Sequence, residues 1–486
     1  MMEKLKTVLL LFLVGLSLFL TYQLWYGQKP AELIADNVYE QVDVEPPRPL
    51  EDAIVPDRIV VRNSSNSNNN NDNNNGNNND NYNNENHDES IFLFRKDDPG
   101  FEQLWEELSG LLKTIETNFV SGEQNAPPEE AVKCLSSYFK PQLPVGNEMP
   151  WLSGLSEDRI ENLVLSCFED TYWLSIAHST ADKHLVLEED RAALILSLIE
   201  DIANEDISNN ETAVHISLTR EIVNEIIDLD IDISAPVFVP RDEITMKELN
   251  LEAENLGKEL LLKTFFVDHN LARVIEERDG SLLYTDGEKG LRLTDTGFEY
   301  SHPRMEEGHT TLSYSEALRK SSSLISYHGG WQENLRLEKV ALESRGGLIF
   351  FESKWLIYYD GYPLFTGQPT KISFNDLGLF HFTRFLFKPA LEPDEHVDGL
   401  PTNGGNGSVT VTLWSEALLK ATDEVIDDHS PEAGARVRLE SMELGYAVTG
   451  TEASPEGIPV WIIIINGEKV IMKAHNLEII SEEDLL

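Results

Sequence analysis

The sequence predicts an α+β protein: one N-terminal transmembrane helix, then a multidomain extracytoplasmic region whose last two domains are repeated helix-on-antiparallel-sheet modules. Three observations lead to this fold class. Residues 7–26 form an uncharged apolar run. Strand-like and helical patterns alternate along the rest of the chain. The hexapeptide Ser315–Lys320 returns in nearly the same form as Ser415–Lys420, which indicates an internal repeat.

Length and charge limit the classes of function. At 486 residues the chain exceeds one hydrophobic core and is expected to divide into about three domains. The formal net charge of −47 argues against nucleic-acid binding, which needs basic surface, and against docking on anionic lipid head groups. Such an acidic composition indicates a solvated surface.

The apolar run Thr7–Tyr26 predicts an uncleaved membrane anchor. Its 20 residues span about 30 Å as a helix, the thickness of the hydrocarbon core. Lys4 and Lys6 precede it, whereas acidic residues dominate residues 32–45. The positive-inside rule therefore places the N-terminus in the cytoplasm and the bulk of the chain outside the cell. A signal peptide would need a small-residue cleavage site, and residues 22–28 offer none.

One stripe of the predicted anchor helix is a candidate partner face. Spacings of three and four residues align small, β-branched and hydroxyl side chains that allow close helix packing. The alternative is that the hydroxyls bond their own helix carbonyls and face lipid. The stripe consists of Thr7, Leu10, Val14, Ser17 and Thr21.

The remaining chain divides by composition. The predicted segments are a cytoplasmic N-terminus (1–6), the anchor (7–26), a Pro-rich stalk (27–50), a first domain (51–240) with a disordered Asn-rich insertion (63–86), a central region (241–391), an acidic, Gly-rich loop (392–408) and a C-terminal repeat (409–486). In the first domain we expect strands at 57–62, 160–167, 172–177 and 215–218, and helices at 101–119 and 192–203. Alternating Asp228, Asp230 and Asp232 predict a further strand. The central region is expected to open with a helix over 246–262.

The internal repeat is the most informative pattern. Each copy, at 313–391 and 409–486, is expected to open with a helix capped by Ser315 or Ser415. A strand of alternating residues follows. Each copy then reaches an Asp-Gly or Asn-Gly pair, Asp360–Gly361 and Asn466–Gly467, the typical signal of a two-residue hairpin turn.

The sequence carries no catalytic motif that we recognise. It lacks G-x-S-x-G, a P-loop, H-E-x-x-H and C-x-x-C, and its histidines are scattered. We therefore predict that the chain is not an enzyme and has no cofactor and no metal site. The two cysteines, Cys134 and Cys167, are either buried free thiols or one disulfide. So few cysteines in an exported chain suit a Gram-positive bacterium.

Several short segments, in order along nearly the whole chain, resemble the YycH (WalH) family of Gram-positive bacteria. They are Lys4–Leu10, Leu16–Trp25, Ile54–Pro56, Gly329–Trp331, Tyr359–Phe365, Leu444–Tyr446 and Pro459–Trp461. The resemblance implies a three-domain exported region whose last two domains share a topology with the companion protein YycI. It also implies that the chain adjusts a cell-wall sensor histidine kinase of the YycG/WalK type, together with a YycI-like partner, through contacts between transmembrane helices.

Two hypotheses of function follow. In the first, the chain is a single-pass membrane regulator that biases a kinase between signalling states by packing better against one of them. In the second, the exported domains bind a peptide or wall fragment and no kinase is involved. A membrane-bound hydrolase would need an active site dispersed along the sequence.

Overall fold

The computed structural model describes the chain in segments. They are residues 55–64, 89–95, 98–114, 120–121, 126–128, 132–144, 159–168, 171–178, 183–187, 195–199, 201, 214–253, 257–303, 310–332, 334–385, 387–390, 407–428, 437–451 and 454–486. The predicted anchor and stalk lie outside these residues, as does the anchor stripe Thr7, Leu10, Val14, Ser17 and Thr21. The Asn-rich insertion lies outside them except for residues 63 and 64, which belong to a strand, and the acidic loop except for residues 407 and 408. Among the helices that are described, none combines the length and the apolar content needed to cross a bilayer.

The first part of the chain builds an antiparallel sheet. Its strands are β1 (Arg58–Ser64), β2 (Glu89–Arg95), β3 (Val120–Ser121), β4 (Val132–Pro144), β5 (Arg159–Phe168), β6 (Thr171–His178), β7 (Lys183–Leu187), β8 (Val214–Leu218) and β10 (Val237–Pro240). Their order is β10-β8-β2-β1-β4-β5-β6-β7-β3. Helix α1 (Pro99–Thr114) places Phe101, Leu104 and Leu108 in the core, as its helical spacing requires.

A second sheet holds most of the remaining strands. They are β9 (Ile231–Ile233), β12 (Leu249–Ala253), β13 (Arg273–Glu276), β14 (Leu282–Thr285), β15 (Gly290–Leu293), β16 (Gly297–Ser301), β17 (Leu335–Arg345), β18 (Leu348–Tyr359), β19 (Tyr362–Phe365), β20 (Thr370–Asn375), β21 (Gly378–Phe385), β22 (Phe387–Pro389), β24 (Val437–Thr451), β25 (Ser454–Ile465) and β26 (Glu468–Lys473). The main path is β13-β14-β15-β16-β21-β20-β18-β19-β24-β25-β12-β22, with β17 on β18, β26 on β25 and β9 on β24. Strands β11 (Thr245–Lys247) and β23 (Ser408–Thr410) pair separately. The fold is thus mixed, mostly sheet, with few helices in the described part.

Besides the helical residues 195–199 and 201, four further α-helices of the described part accompany these strands. They are α2 (Arg220–Ile227), α3 (Lys258–Phe265), α4 (Tyr314–Tyr327) and α5 (Trp414–Asp428). Helix α4 begins two residues earlier than its predicted Ser315 cap. Ser313 is the N-cap and forms a capping box with Glu316, because its side chain reaches the amide three residues on. Ser415 likewise lies inside α5, so neither predicted Ser cap is correct.

Two other predictions need correction. The predicted helix over 246–262 is in fact strands β11 and β12 followed by the short helix α3, since its leucines fit both periods. Asp228 is not a strand residue. It ends α2 in a left-handed conformation with φ of 53°, and only Ile231–Ile233 forms a strand. Of the predicted helix 192–203, residues 195–199 and 201 are described, and they are helical.

One hydrophobic core joins the two large sheets. The same cluster contains Ile59 and Leu135 from the first sheet and Trp355 and Phe382 from the second. A second cluster lies under α5, around Trp461. The first region and the central region therefore share buried apolar surface, and the boundary predicted at residue 240 does not separate two cores.

A candidate functional site where three chain regions meet

The hairpin formed by β18 and β19 lies at the centre of the candidate site. Its turn residues Asp360 and Gly361 have φ of 48° and 72°, the two positive values that a tight hairpin turn requires. A Cβ on Gly361 would collide with the aliphatic side chain of Arg95. Glycine is thus required here twice: for its backbone conformation and for the close approach of β2.

Two contacts connect this hairpin to the first sheet. The Arg95 guanidinium lies 4.2 Å from the ring centre of Tyr362, within the range of a cation–π interaction. The Tyr358 hydroxyl donates to Asp57 Oδ1 at 3.2 Å. The guanidinium of Arg336, a residue that is 5% exposed, lies 4.4 Å from the centre of the Tyr358 ring.

Residues 55–58, which follow the predicted stalk, contact the same site. Pro56 is buried and Val55 packs against the shared core. The Asp57 amide donates to the carbonyl oxygen of Tyr138 at 2.8 Å. The Arg58 guanidinium lies 5.4 Å from the ring centre of Phe238. Residues 55–58 are therefore fixed to the body of the protein immediately after the predicted stalk.

The C-terminal region meets the same hairpin from its other edge. β19 pairs parallel with β24, Leu364 opposite Tyr446. The Tyr446 ring packs edge-on against Tyr359 and Tyr362, with centres 6.1 and 6.2 Å apart. Burial raises the pKa of the Tyr446 hydroxyl, and the neighbouring Asp360 adds to the rise. At Gly445 a Cβ would lie 2.9 Å from the Pro363 carbonyl oxygen, so the strands can approach this closely only with glycine.

A buried arginine closes the end of α4. The Arg384 guanidinium, 0% exposed, donates to the carbonyl oxygens of His328 at 3.0 Å and Gly330 at 2.6 Å. Burial lowers the pKa of His328 to about 4, so its ring is neutral at pH 7. Trp331 donates from Nε1 to Ser326 Oγ at 2.8 Å. Hydrogen bonds from Arg384 and Trp331 therefore fix the segment Gly329–Trp331 at the end of α4.

These contacts suit mechanical coupling of three regions better than chemistry. We call this site the junction: the β18–β19 hairpin with its contacts to residues 55–58, Arg95 and Gly445–Tyr446. It is made of edge-on ring packing, cation–π contacts and buried glycines, which fix relative positions. Within the part of the chain that the structure describes, no group of three or more His, Cys, Asp or Glu side chains could hold a metal ion.

Comparison with known families identifies the chain. The family model described as the YycH protein N-terminal domain matches residues 3–91, and the YycH protein C-terminal domain matches residues 234–384. The chain belongs to the YycH family. No curated protein matches it.

Solved structures agree with this assignment at the level of the fold. The crystal structure of YycH from Bacillus subtilis superposes with a TM-score of 0.53 at 13% identity, covering 89% of this chain and 99% of that one. An uncharacterized protein from Eubacterium rectale gives a TM-score of 0.33 at 11% identity, over 51% of this chain and 90% of the other. The YycH-like fold is therefore shown by the first comparison alone.

Membership of the YycH family implies regulation of the YycG/WalK two-component system. The family is regulatory and is not a known enzyme family, and it suggests a membrane-associated protein. Several segments that carried the sequence resemblance contribute to this site: Val55, Pro56, Tyr359–Phe365 and Leu444–Tyr446 lie at the junction, and Gly329–Trp331 ends helix α4. Arg95, Asp57 and Arg384, which complete the contacts, carry no sequence signal, since each is a single charged residue beside an apolar strand.

Proposed function

We propose that this YycH-family chain is a single-pass, membrane-anchored regulator whose bulk lies outside the cell. Its anchor would adjust a sensor histidine kinase of the YycG/WalK type through contacts between transmembrane helices, together with a YycI-like partner. The observation that carries the proposal is the match of residues 3–91 to the YycH N-terminal family model. That match includes the whole apolar run Thr7–Tyr26 and its flanking Lys4 and Lys6.

The anchor stripe supplies the physical basis for such contacts. In a bilayer, helices associate through close packing and interhelical hydrogen bonds rather than through the hydrophobic effect. Ser17 and Thr21 offer both. A regulator shifts a two-state kinase only as far as it binds one state better than the other, so the stripe has to fit one state preferentially.

The junction supports a role for the exported region. Because residues 55–58 are fixed to the body by Asp57, Pro56 and Val55, a change in the relative position of the three regions would be passed on to the segment that leads to the anchor. Rigid packed elements transmit such changes because they have discrete arrangements. The exported region would then set how the anchor presents its stripe.

We also propose that 313–391 and 409–486 are two copies of one module. In both, a β-bulge follows the same residue of the first strand, at Leu337 and Leu439. Both have a positive-φ turn, Asp360–Gly361 and Asn466–Gly467. Trp355 and Trp461 each lie five residues before the first residue of the turn, and both are 1% exposed.

Co-purification of the full chain with the sensor kinase tests the mechanism. Ser17→Leu with Thr21→Leu keeps the anchor apolar but removes two polar contacts, each worth about 0.6 kcal/mol and at most about 1.7. At about 0.6 kcal/mol each, a joint loss of about 1.2 kcal/mol should weaken association roughly eightfold. The matched control is Phe12→Leu with Phe19→Leu, on the opposite face of the helix, which should have little effect.

Replacing residues 7–26 by an unrelated apolar helix should abolish co-purification while the chain stays in the membrane. If that replacement, and the stripe variant, both leave the kinase bound, the anchor is only a tether. Binding of a peptide or wall fragment by the exported domains would then become the better explanation.

Orientation is tested by labelling. Asn75→Cys, in a background where both natural cysteines are alanine, should react with a membrane-impermeant thiol reagent on intact, wall-stripped cells. Glu3→Cys in the same background should react only after lysis, because the positive-inside rule keeps that end in the cytoplasm. The reverse labelling pattern would contradict the proposed topology.

A further inference from the structure

The two cysteines of the chain face each other across neighbouring strands. In the antiparallel pair β4–β5 the register shifts between Lys133 and Leu135, so Cys134 is the extra residue of a β-bulge. The bulge brings the Sγ of Cys134 to 2.9 Å from the Sγ of Cys167. The sequence places these residues 33 positions apart (167 minus 134), and only the fold brings them together.

The sulfur separation is well suited to a covalent bond. It is longer than the roughly 2.05 Å of a disulfide but shorter than ordinary contact between unbonded sulfur atoms. Both strands belong to the interior of the nine-stranded sheet, which holds their backbones in place. Side-chain rotation alone can therefore complete the bond.

We propose that Cys134 and Cys167 are a modification site, oxidised outside the cytoplasm to one intramolecular disulfide that fixes the β4 bulge. This rests on the extracytoplasmic orientation proposed above. The oxidant is a disulfide-bearing donor, either an exported thiol–disulfide oxidoreductase or an oxidised low-molecular-weight thiol, since disulfides form by exchange.

The exchange has a defined order. Cys134 is 7% exposed, and burial raises the pKa of its thiol, which keeps it protonated. Cys167 is half-buried and reacts first. Its thiolate attacks one donor sulfur, and the donor releases its other half as a thiol. Cys134 then gives up its proton and attacks the Cys167 sulfur, which releases the second donor thiol. Two protein thiols become one disulfide, and the donor disulfide becomes two thiols.

The bond would act on the part of the sheet nearest the junction. β4 pairs with β5 on one side and with β1 on the other, and β1 begins directly after Asp57. A disulfide across β4–β5 closes a loop in the unfolded chain and so lowers the entropy gained on unfolding. We expect oxidation to raise the thermal midpoint of this region by on the order of 5–10 °C.

The test uses the full chain purified in detergent, first reduced and then incubated with oxidised glutathione. After acid quenching, denaturation and alkylation, mass spectrometry should show one linked peptide pair, lighter by two hydrogen atoms than the reduced form. Cys134→Ser should give only a glutathione adduct on Cys167. Two alkylated thiols, or adducts without the internal link, would overturn the proposal.

A matched control moves one sulfur by a single residue. In a Cys167→Ser background, Ser166→Cys places the thiol on the other face of β5, because neighbouring side chains alternate along a strand. This variant should not link to Cys134. Equal linkage in both would show that the bond reflects loose chains and not the geometry of the bulge, and would also overturn the proposal.

A second measurement separates this proposal from the topology. The chain is trapped with acid directly from cells and its thiols are counted. A disulfide is expected. Free thiols in cells whose Asn75→Cys variant is labelled from outside overturn the proposal. Free thiols together with labelling only after lysis contradict the orientation, and the purified chain then decides the proposal by itself.

Discussion

Helices α4 and α5, which lie at the start of the two proposed modules (313–391, the α4 module, and 409–486, the α5 module), are buried by different chemistry. Position by position, one hundred residues apart, Ala317 and Ala417 are both 0% exposed, and so are Ser321 and Ala421. At this position α4 has the hydroxyl group of a serine, whereas α5 has the methyl group of an alanine. Equal burial does not mean equal composition.

The polar side chains of the α4 module form a connected network. Ser353 Oγ donates to Ser321 Oγ at 3.0 Å, and Trp355 Nε1 donates to Ser353 Oγ at 3.0 Å. In the α5 module the corresponding Trp461 donates to the Thr412 carbonyl oxygen at 3.1 Å instead. Buried polar networks specify one arrangement when every member is satisfied, and they are costly when one is removed. The α4 module, which borders the junction, is therefore the more sensitive of the two.

The largest expected effect follows removal of the buried arginine. Arg384→Met leaves the carbonyls of His328 and Gly330 without their charged donor and should destabilise the α4 module by about 3–5 kcal/mol. Hydrogen exchange of the full chain should show α4 opening first while α5 stays protected. Exposed Arg345→Met is the control, with a change within about 0.5 kcal/mol. Equal loss of protection in both helices would contradict the comparison.

The second effect depends on pH. The folded pKa of His328 is lowered to about 4 by burial, whereas the unfolded value is about 6.5. The unfolded state therefore binds the proton first, and the stability is fully present above pH 6.5 and lost as the pH falls towards 4. From pH 7 to pH 5 the loss should be about 2 kcal/mol. The free energy of unfolding of His328→Gln, measured by denaturant titration at each pH, should lack this loss between pH 7 and pH 5. An unchanged pH dependence would contradict the assignment.

The smallest effects come from exchanging the matched positions. Ser321→Ala leaves the Ser353 hydroxyl without its acceptor and should cost about 1–1.5 kcal/mol. The reciprocal change Ala421→Ser should cost less, about 0.5–1 kcal/mol, because a helical serine can bond the carbonyl four residues earlier. Unfolding free energies of the two variants decide the order. A larger loss from Ala421→Ser would reverse the comparison.

Local patterns in the sequence predicted much of the second half of the fold. The α4 and α5 helices, their following strands and the Asp-Gly and Asn-Gly turns were found because each is specified by neighbours in sequence. Helix α2 was missed because its eight residues precede an alternating Asp pattern that favours a strand. The predicted helix over 246–262 was wrong because leucines at 249 and 251 fit a strand equally well.

The junction could not be predicted at all. Its contacts join Asp57 with Tyr358 and Arg95 with Tyr362, pairs that no local period connects. Sequence reasoning found Gly361 as a turn signal, and Gly445, Tyr359, Tyr362 and Tyr446 as parts of a family resemblance, with no indication that they meet. The stripe of Thr7, Leu10, Val14, Ser17 and Thr21 remains a prediction, because it lies outside the described residues.

The hydrogen bond between Tyr358 and Asp57 also sets the order in which the protein can fold. Its partners are separated by 301 residues. Strand β9 likewise pairs with the distant β24, and Ser234 donates to the Leu439 carbonyl oxygen across 205 residues. Contacts so distant in sequence slow folding, since long loops must close first. In a chain that leaves the ribosome N-terminus first, all strands of the first sheet, which lie between residues 58 and 240, are synthesised well before residue 358. The first sheet therefore waits for its attachment to the hairpin until late in synthesis.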